Sequence, residues 1–331
     1  MGMETQRIHW IDGLKLFTIF LVILSHVVLC YRAEPNLPAA LEEPLYLYIY
    51  AFHMPLFMTI SGYFSSNLLE GKGNIKKRFD TLILPCITLF FIFMFMRVTT
   101  QNMWYLKSLF ACYTIVYLWF RARLPWWGGV LLCFVGFPII CKIPYVAAYK
   151  IDFMLPFFVL GMHIRKHDEW ITNKNLFLLW SLLFVAAMYI WKKDYIWYVS
   201  QSSWFPIKEM VQTRSLIFSR YAFFNAIIRY LTGIVSSLFM MSCFYRLYCL
   251  KTIRRWLEKI AVFGQYSLHI YIIQTFLVEI NLFKIKMPLE NHALYCVYSI
   301  LVSIVILIVC ILTAKVLEKN KYCNRYLFGR F

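Results

Sequence analysis

Long apolar runs alternate along the chain with short polar connections that carry basic residues. Crossing a bilayer takes a helix of about 20 apolar residues, and most of the runs approach that length. A transmembrane β-barrel would show short strands of alternating hydrophobicity, whereas these runs are long and continuous. The pattern predicts an all-α, polytopic membrane protein with about ten transmembrane helices. The predicted spans are Leu14–Tyr31, Leu45–Leu69, Phe79–Met96, Trp104–Phe120, Trp126–Cys141, Ala147–Ile164, Leu176–Trp191, Ala222–Tyr245, Val262–Leu282 and Ala293–Ala314.

Basic residues cluster in every second connection, which orients the spans, because cytoplasmic loops carry an excess of Lys and Arg. Ten spans place both termini in the cytoplasm. We expect a single domain over residues 1–331, with a transmembrane core at about 14–314 and a cytoplasmic tail at 315–331. The inner clusters include Lys72, Lys76, Lys77 and Arg78 after the second span, and Lys251, Arg254, Arg255 and Lys259 after the eighth.

Composition narrows the function classes. The 331 residues are 61% hydrophobic and 15% charged, whereas soluble domains average about 25% charged residues. This excludes a soluble globular enzyme, a disordered chain and a nucleic-acid-binding domain. The net charge of +18 follows from the topology and from attraction to anionic lipid, so we expect a lipid bilayer as partner and no nucleic acid. The ten cysteines form no C-x-x-C pair, and we predict neither a disulfide nor a metal site.

Ionisable residues inside apolar runs are the first functional candidates, since burying them in a bilayer is costly. Lys15 and His26 lie eleven residues apart on nearly the same face of the first span, roughly 16 Å along the axis. A cation at the inner rim with an imidazole deeper in the membrane suits a long donor with an anionic head, such as an acyl-coenzyme A. In the alternative interpretation, Lys15 snorkels and pairs with Asp12, and His26 bonds a neighbouring helix.

Other polar positions lie in the outer half of the membrane. His53, beside Pro55, is at a depth comparable with that of His26, so that the two histidines would flank one cavity; a structural histidine at a proline kink is the alternative. Arg97, Arg229 and Glu279 are candidates for binding an anionic or sugar acceptor. In the competing interpretation, these three side chains extend to the outer lipid headgroups and bind no acceptor.

Five ordered blocks of the sequence resemble the integral-membrane acyltransferases of the acyltransferase 3 family. The blocks are Ile11–Lys15 followed after ten residues by His26; FHMPLFMTISGYF at Phe52–Phe64; Lys77–Phe79 leading to Pro85; Phe157–Gly161; and Phe263–Tyr271. They extend over almost the whole chain, and the second is the most specific. Two positions depart from the family pattern, since Gln274 stands where a His is common and Cys86 where a Tyr is common.

The resemblance implies transfer of an acyl group, usually acetyl from acetyl-coenzyme A, to a hydroxyl of an extracytoplasmic or lipid-linked saccharide. Acyl-coenzyme A would be a co-substrate, with no permanently bound cofactor, in a multi-pass bacterial inner-membrane protein. The family's essential histidine corresponds to His26, acting as general base or as transient acyl carrier. We assign His53 to positioning, Lys15, Lys77 and Arg78 to the donor phosphates, and Arg97, Arg229 and Glu279 to the acceptor.

Two other classes stay open. A glycan transporter or flippase would use His26 and His53 as gate or proton-relay groups and would require no acyl donor. A polysaccharide polymerase would use the long outer segment Lys192–Tyr221 for catalysis. The blocks around His26 and His53 argue against both classes. The sequence leaves the acyl group, the acceptor hydroxyl, the oligomeric state and the role of the outer segment undetermined.

Overall fold

The fold is known from a computed structural model, which describes residues 8–31, 40–97, 103–125, 128, 150–196, 219–281, 285–286 and 291–330. These residues form helices joined by short connections. The helices are α1 His9–Cys30, α2 Pro44–Tyr63, α3 Ile75–Phe95, α4 Trp104–Arg121, α5 Ile151–Lys166, α6 Glu169–Thr172, α7 Lys174–Ile190, α8 Arg220–Cys249, α9 Lys251–Gly264, α10 Ser267–Gln274, α11 His292–Glu318 and α12 Lys321–Tyr326. The 3₁₀ turns are Ser66–Glu70 and Lys193–Tyr195, and a π-helical turn at Thr275–Glu279 continues α10.

The expectation of an all-helical protein is confirmed for the described residues, which contain helices long and apolar enough to cross a membrane. Four of these helices, α1, α3, α8 and α11, are long and apolar enough by themselves. A fifth span results if α9 is counted together with α10 and the π-helical turn that follows it, as one bent span. The number of ten spans and their orientation stay predictions. The predicted span Trp126–Cys141 and most of the outer segment Lys192–Tyr221 lie outside the described residues.

The predicted ninth span, Val262–Leu282, is not one straight helix. α9 ends at Gly264, α10 begins at Ser267, and their axes differ by 58°. α9 is amphipathic: it packs Leu257 and Ala261 inward, and its charged residues face outward. It contacts α1 so closely that a Cβ atom at Gly264 would collide with the carbonyl oxygen of Asp12. Because one face of α9 is polar, this helix is expected to lie at the edge of the bundle. The chain enters the interior of the bundle only at α10.

α1 is the central helix of the bundle. Most of its side chains are buried, and it packs against α2, α8, α9 and α11. α7 and α11 lie at the periphery, where large apolar side chains such as Leu182 and Val305 are more than half exposed. In a bilayer, outward-facing apolar side chains contact lipid, so this surface is consistent with a membrane environment. The polar groups of α1 therefore lie in the interior of the protein.

The backbones of α2 and α5 touch where they cross. A Cβ atom at Gly62 would collide with the carbonyl oxygen of Phe158, and one at Gly161 would collide with the carbonyl oxygen of Thr59. Small residues at such crossings let two membrane helices approach to backbone contact. This crossing fixes the position of α2, the helix that carries His53.

The segment after α12 folds back onto the bundle. Phe328 is fully buried, with its ring 4.0 Å from that of His269 on α10. Gly329 has a φ of +59° and lies against the backbone of Asp80 and Thr81 on α3, where a side chain would collide. Arg330 pairs with Glu318 on α11 and donates to the carbonyl oxygen of Gln265. The segment therefore ties α3, α10 and α11 together.

Candidate active site

His26 and Glu279 meet in the interior. His26 lies in the last turns of α1, and its Nε2 is 3.8 Å from Oε1 of Glu279, in the π-helical turn after α10. Their side chains are 22% and 12% exposed, so the pair is largely shielded from water but not fully enclosed. From the sequence, we predicted a catalytic role for His26 and acceptor binding for Glu279, but no contact between the two residues.

The Glu279 carboxylate is held by its own helix. Gln274 Nε2 donates to Oε1 of Glu279 over 2.7 Å, and the Thr275 hydroxyl lies 3.2 Å both from that oxygen and from the carbonyl oxygen of Tyr271, between which its one hydrogen is shared. The π-helical turn brings these residues onto one side, and such turns are frequent at functional sites. Gln274, which departs from the family pattern, thus has a specific hydrogen-bonding role here.

A carboxylate beside one nitrogen of an imidazole ring determines whether the other nitrogen donates or accepts a proton. Glu279 next to Nε2 of His26 favours the tautomer that carries its proton on Nε2, which leaves Nδ1 able to accept one. The carboxylate also stabilises the imidazolium that forms when a proton arrives. The 3.8 Å separation exceeds hydrogen-bond length, and catalytic hydrogen bonds are often long until substrate binds. The pair is therefore suited to general-base catalysis.

His53 is nearby but is buried more deeply. Only 2% of it is exposed, and its Nδ1 donates to the carbonyl oxygen of Ile49 over 2.8 Å. The ring of Tyr50 packs against it with centroids 4.7 Å apart. His53 is also within electrostatic range of His26. With Nδ1 used as a donor, Nε2 of His53 is the nitrogen that accepts, and the imidazole is held in one orientation.

One pocket lies at the far end of α1 from His26. This Lys15–Arg78 pocket has a volume of about 190 Å³. Lys15 pairs with Asp12 at 3.1 Å and lies 3.9 Å from the centroid of the Phe64 ring. The guanidinium of Arg78 is 5.0 Å from the centroid of the Tyr113 ring. The other lining residues are apolar or carry a hydroxyl, including Phe57, Ile60, Ser61, Ser65, Leu82, Leu109 and Ser267.

Lys77 does not line this pocket. Its side chain is exposed, and its backbone N–H donates to Asn74 at the start of α3. Consecutive helical residues point about 100° apart, so Arg78 faces the bundle while Lys77 faces outward. Two of the three predicted donor-binding residues, Lys15 and Arg78, are therefore brought together, and the third is not.

A second pocket lies beside His53 and contains two cations. This Lys150–Arg229 pocket has a volume of about 30 Å³ and is lined by residues of α2, α4, α5 and α8 and by the connection after α7. Arg229 Nε donates to the carbonyl oxygen of Tyr195 over 2.6 Å, and Lys150 Nζ lies 4.0 Å from the centroid of the Trp104 ring. The other lining residues are Tyr50, Met54, Pro55, Phe153, Met154, Trp191 and Ile196.

The remaining predicted acceptor residue, Arg97, lies elsewhere. It follows the end of α3, is exposed and has a φ of 53°. It lines neither pocket. Lys150, Gln274 and Thr275 were missed, although Lys150 lies within a predicted span and carries the signal of an ionisable residue in an apolar run. Within the described ranges, no three His, Cys, Asp or Glu side chains are grouped as a metal ion would require.

Comparison with known proteins identifies a family match over nearly the whole chain. Residues 8–315 match the model of the acyltransferase 3 family, which is described as an acyltransferase domain. Among individual proteins, the nodulation protein NolL of Mesorhizobium japonicum (strain LMG 29417 / CECT 9101 / MAFF 303099) is 39% identical over 79 residues. That match covers 23% of this chain and 21% of NolL. No solved structure matches.

Proposed function

Since this chain belongs to the acyltransferase 3 family, we propose that it moves an acyl group from acyl-coenzyme A to a hydroxyl of an extracytoplasmic or lipid-linked saccharide. We expect the acyl group to be acetyl. The observation that carries the proposal is the His26–Glu279 pair: a partly shielded imidazole beside a carboxylate, in a protein of an acyltransferase family. Ten spans with both termini in the cytoplasm are part of the proposal.

The Lys15–Arg78 pocket is the proposed donor site. Acyl-coenzyme A carries phosphates at one end and the thioester at the end of a long flexible arm. Lys15 and Arg78 would bind the phosphates by charge-assisted hydrogen bonds, and the apolar lining would pack the arm. The proposed topology opens this pocket to the cytoplasm, where acyl-coenzyme A is found. The roughly 16 Å between Lys15 and His26 along α1 is a distance that the arm can span.

His26 would perform the chemistry. As general base, its Nδ1 takes the proton of the acceptor hydroxyl while the hydroxyl oxygen attacks the thioester carbonyl. The C–S bond breaks, the ester C–O bond forms, and the proton passes from the imidazolium to the departing thiolate. Glu279 stabilises the imidazolium in between. A transient acyl-His26 is the alternative course, in which the same imidazole is first the nucleophile.

The test is mass spectrometry of surface glycans and lipid-linked intermediates from cells that lack the gene and are complemented with either the native chain or His26→Ala. We expect a mass increment of one acyl group per modified sugar, restored only by the native chain. Positioned general-base catalysis contributes about 10²–10⁴-fold, so His26→Ala should restore almost none. His167→Ala, at an exposed histidine before α6, is the matched control and should restore full acylation.

Unchanged acylation with an altered amount or length of glycan would overturn the proposal and favour a transporter or a polymerase. Full activity of a folded His26→Ala variant would overturn the role of His26 alone.

A further inference from the structure

We infer that the Lys150–Arg229 pocket binds an anionic oxyacid group, a carboxylate or a phosphate, on the saccharide that accepts the acyl group. The inference rests on the proposed function and narrows the acceptor to an acidic saccharide. Two cationic side chains line one small pocket, so an anionic group that enters it meets both at once. Arginine and lysine together offer the donors that carboxylates and phosphates bind most strongly.

The electrostatics of the pocket favour an anion. Only 8% of Arg229 is exposed, and a charge in such a poorly solvated region is costly unless groups of opposite charge or hydrogen-bond partners compensate it. Asp152, in the first turn of α5, interacts electrostatically with both Lys150 and Arg229, so one carboxylate is shared between two cations. An anionic group of a ligand in the pocket would interact favourably with the same two cations, as Asp152 does. A neutral sugar hydroxyl would gain much less from the same two residues.

The dimensions fit a functional group better than a whole sugar. A volume of about 30 Å³ has room for roughly two water-sized atoms, which corresponds to the oxygens of a carboxylate or of a phosphate edge. The sugar ring would lie at the mouth. Trp104, Trp191 and Tyr50 belong to the lining, and aromatic rings offer apolar surface on which a sugar can pack.

The position of the pocket connects it to the reacting groups. Tyr50 and Met54 of the lining flank His53 on α2, and the Tyr50 ring touches the imidazole of His53. His53 is in turn within electrostatic range of His26. A saccharide anchored by its anionic group would therefore present a neighbouring hydroxyl toward the two histidines. Lys150 and Arg229 would select which saccharide is acylated, without taking part in the proton transfer.

The experiment measures saccharide binding to the purified full chain in phosphatidylcholine nanodiscs without any acyl donor. The probes are D-glucuronate, glucose 1-phosphate and neutral glucose, with dissociation constants from saturation-transfer NMR. We expect at least one anionic sugar to bind about tenfold more tightly than glucose, as one added charge-assisted hydrogen bond provides. The identity of the tighter probe tells a carboxylate-bearing acceptor from a phosphate-bearing one.

Variants of the lining residues test whether the preference for anionic sugars arises in the Lys150–Arg229 pocket. Lys150→Gln and Arg229→Gln should each remove most of the preference for the anionic probe, while Arg229→Lys, which keeps the charge, should retain part of it. Arg246→Gln is the matched control, because Arg246 is on the same helix, donates to the carbonyl oxygen of Thr172 and lies over the Phe177 ring, yet lines neither pocket. It should bind all three probes like the native chain.

Equal binding of glucose and both anionic sugars, or a preference that survives both glutamine variants, would overturn the inference. Release of free coenzyme A thiol from acetyl-coenzyme A is measured separately on the same preparations with native chain and His26→Ala. Acyl transfer that does not depend on His26, together with an intact anion preference, would count against the proposed reaction and not against the pocket.

Discussion

The two pockets differ more in volume than in the kinds of group that surround their cations. In the Lys15–Arg78 pocket, Lys15 has a carboxylate partner at 3.1 Å, and the cavity of about 190 Å³ is large enough for part of a flexible molecule. In the Lys150–Arg229 pocket, the Asp152 carboxylate interacts with both cations and aromatic rings lie beside them, in a cavity of about 30 Å³. A wide site tolerates a long and mobile ligand, whereas a narrow one selects a group by shape and charge. The first pocket is suited to a common donor and the second to a specific acceptor.

Gly161→Val should have the largest effect, because it removes both pockets together. The new side chain would overlap the carbonyl oxygen of Thr59 and separate α2 from α5, and α2 lines both pockets. We expect no folded protein, or unfolding at much lower temperature, as measured by thermal denaturation in detergent. Gly13→Ala is the control, because its Cβ would meet only the flexible side chain of Leu257 at 3.3 Å. Native-like unfolding of Gly161→Val would contradict the described crossing.

The double variant Lys15→Gln with Arg78→Gln should come next, and it should separate the two pockets. Hydrogen bonds to charged groups contribute about 1.5–3 kcal/mol each, so we expect KM for acetyl-coenzyme A to rise about 100-fold. KM for the acceptor and binding of anionic sugars should stay unchanged. Both constants come from initial rates of thiol release. An equal rise in both KM values would mean that the two pockets are not independent sites.

Glu279→Gln should change neither pocket. The amide keeps the size of the carboxylate but cannot stabilise an imidazolium on His26, so kcat should fall about tenfold with both KM values unchanged. Glu258→Gln, at a carboxylate on α9, serves as the control. A raised acceptor KM with unchanged kcat would instead support the assignment made from the sequence, in which Glu279 binds the acceptor.

Lys77→Gln should have the smallest effect and tests whether the proposed donor site extends beyond the Lys15–Arg78 pocket. The exposed ammonium of Lys77 acts on the donor only through long-range attraction, which is screened over about 10 Å at 0.1 M salt. We expect KM for acetyl-coenzyme A to rise about twofold at low ionic strength and not at all in about 0.5 M salt. A salt-independent rise comparable with that of Arg78→Gln would show that Lys77 contacts the phosphates directly.

Much of the helical framework could be predicted from the sequence, since hydrophobic runs report on individual helices. The start of α4 at Trp104 and the extent of α8 around Ala222–Tyr245 lie within a few residues of the prediction. The break before α10 could not be predicted from hydropathy alone. The break lies next to the close contact of Gly264 with the backbone of Asp12, a residue at the other end of the sequence, and hydropathy carries no information on such a contact.

The site shows the same limit. His26 and Lys15 could be related because both lie on one helix, where spacing defines the face. The contact between His26 and Glu279 joins α1 to the turn after α10. The spacing of residues along one helix cannot predict a contact between two different elements. Lys77 and Arg78 were equivalent in the sequence because only the packing of α3 decides which of two adjacent residues faces inward.

The segment at residues 327–330 has a consequence for how this protein is made. Phe328 packs on His269 of α10 and Gly329 on Asp80 and Thr81 of α3, each two or three residues along the chain from Ser267 or Arg78 of the Lys15–Arg78 pocket. A ribosome completes α3 early and these residues only after α11 has emerged. During synthesis, the contacts that residues 327–330 make with α3 and α10 therefore form late, after both helices have been made. A nascent chain paused before that point would hold His26 and Lys15 in an incomplete enzyme.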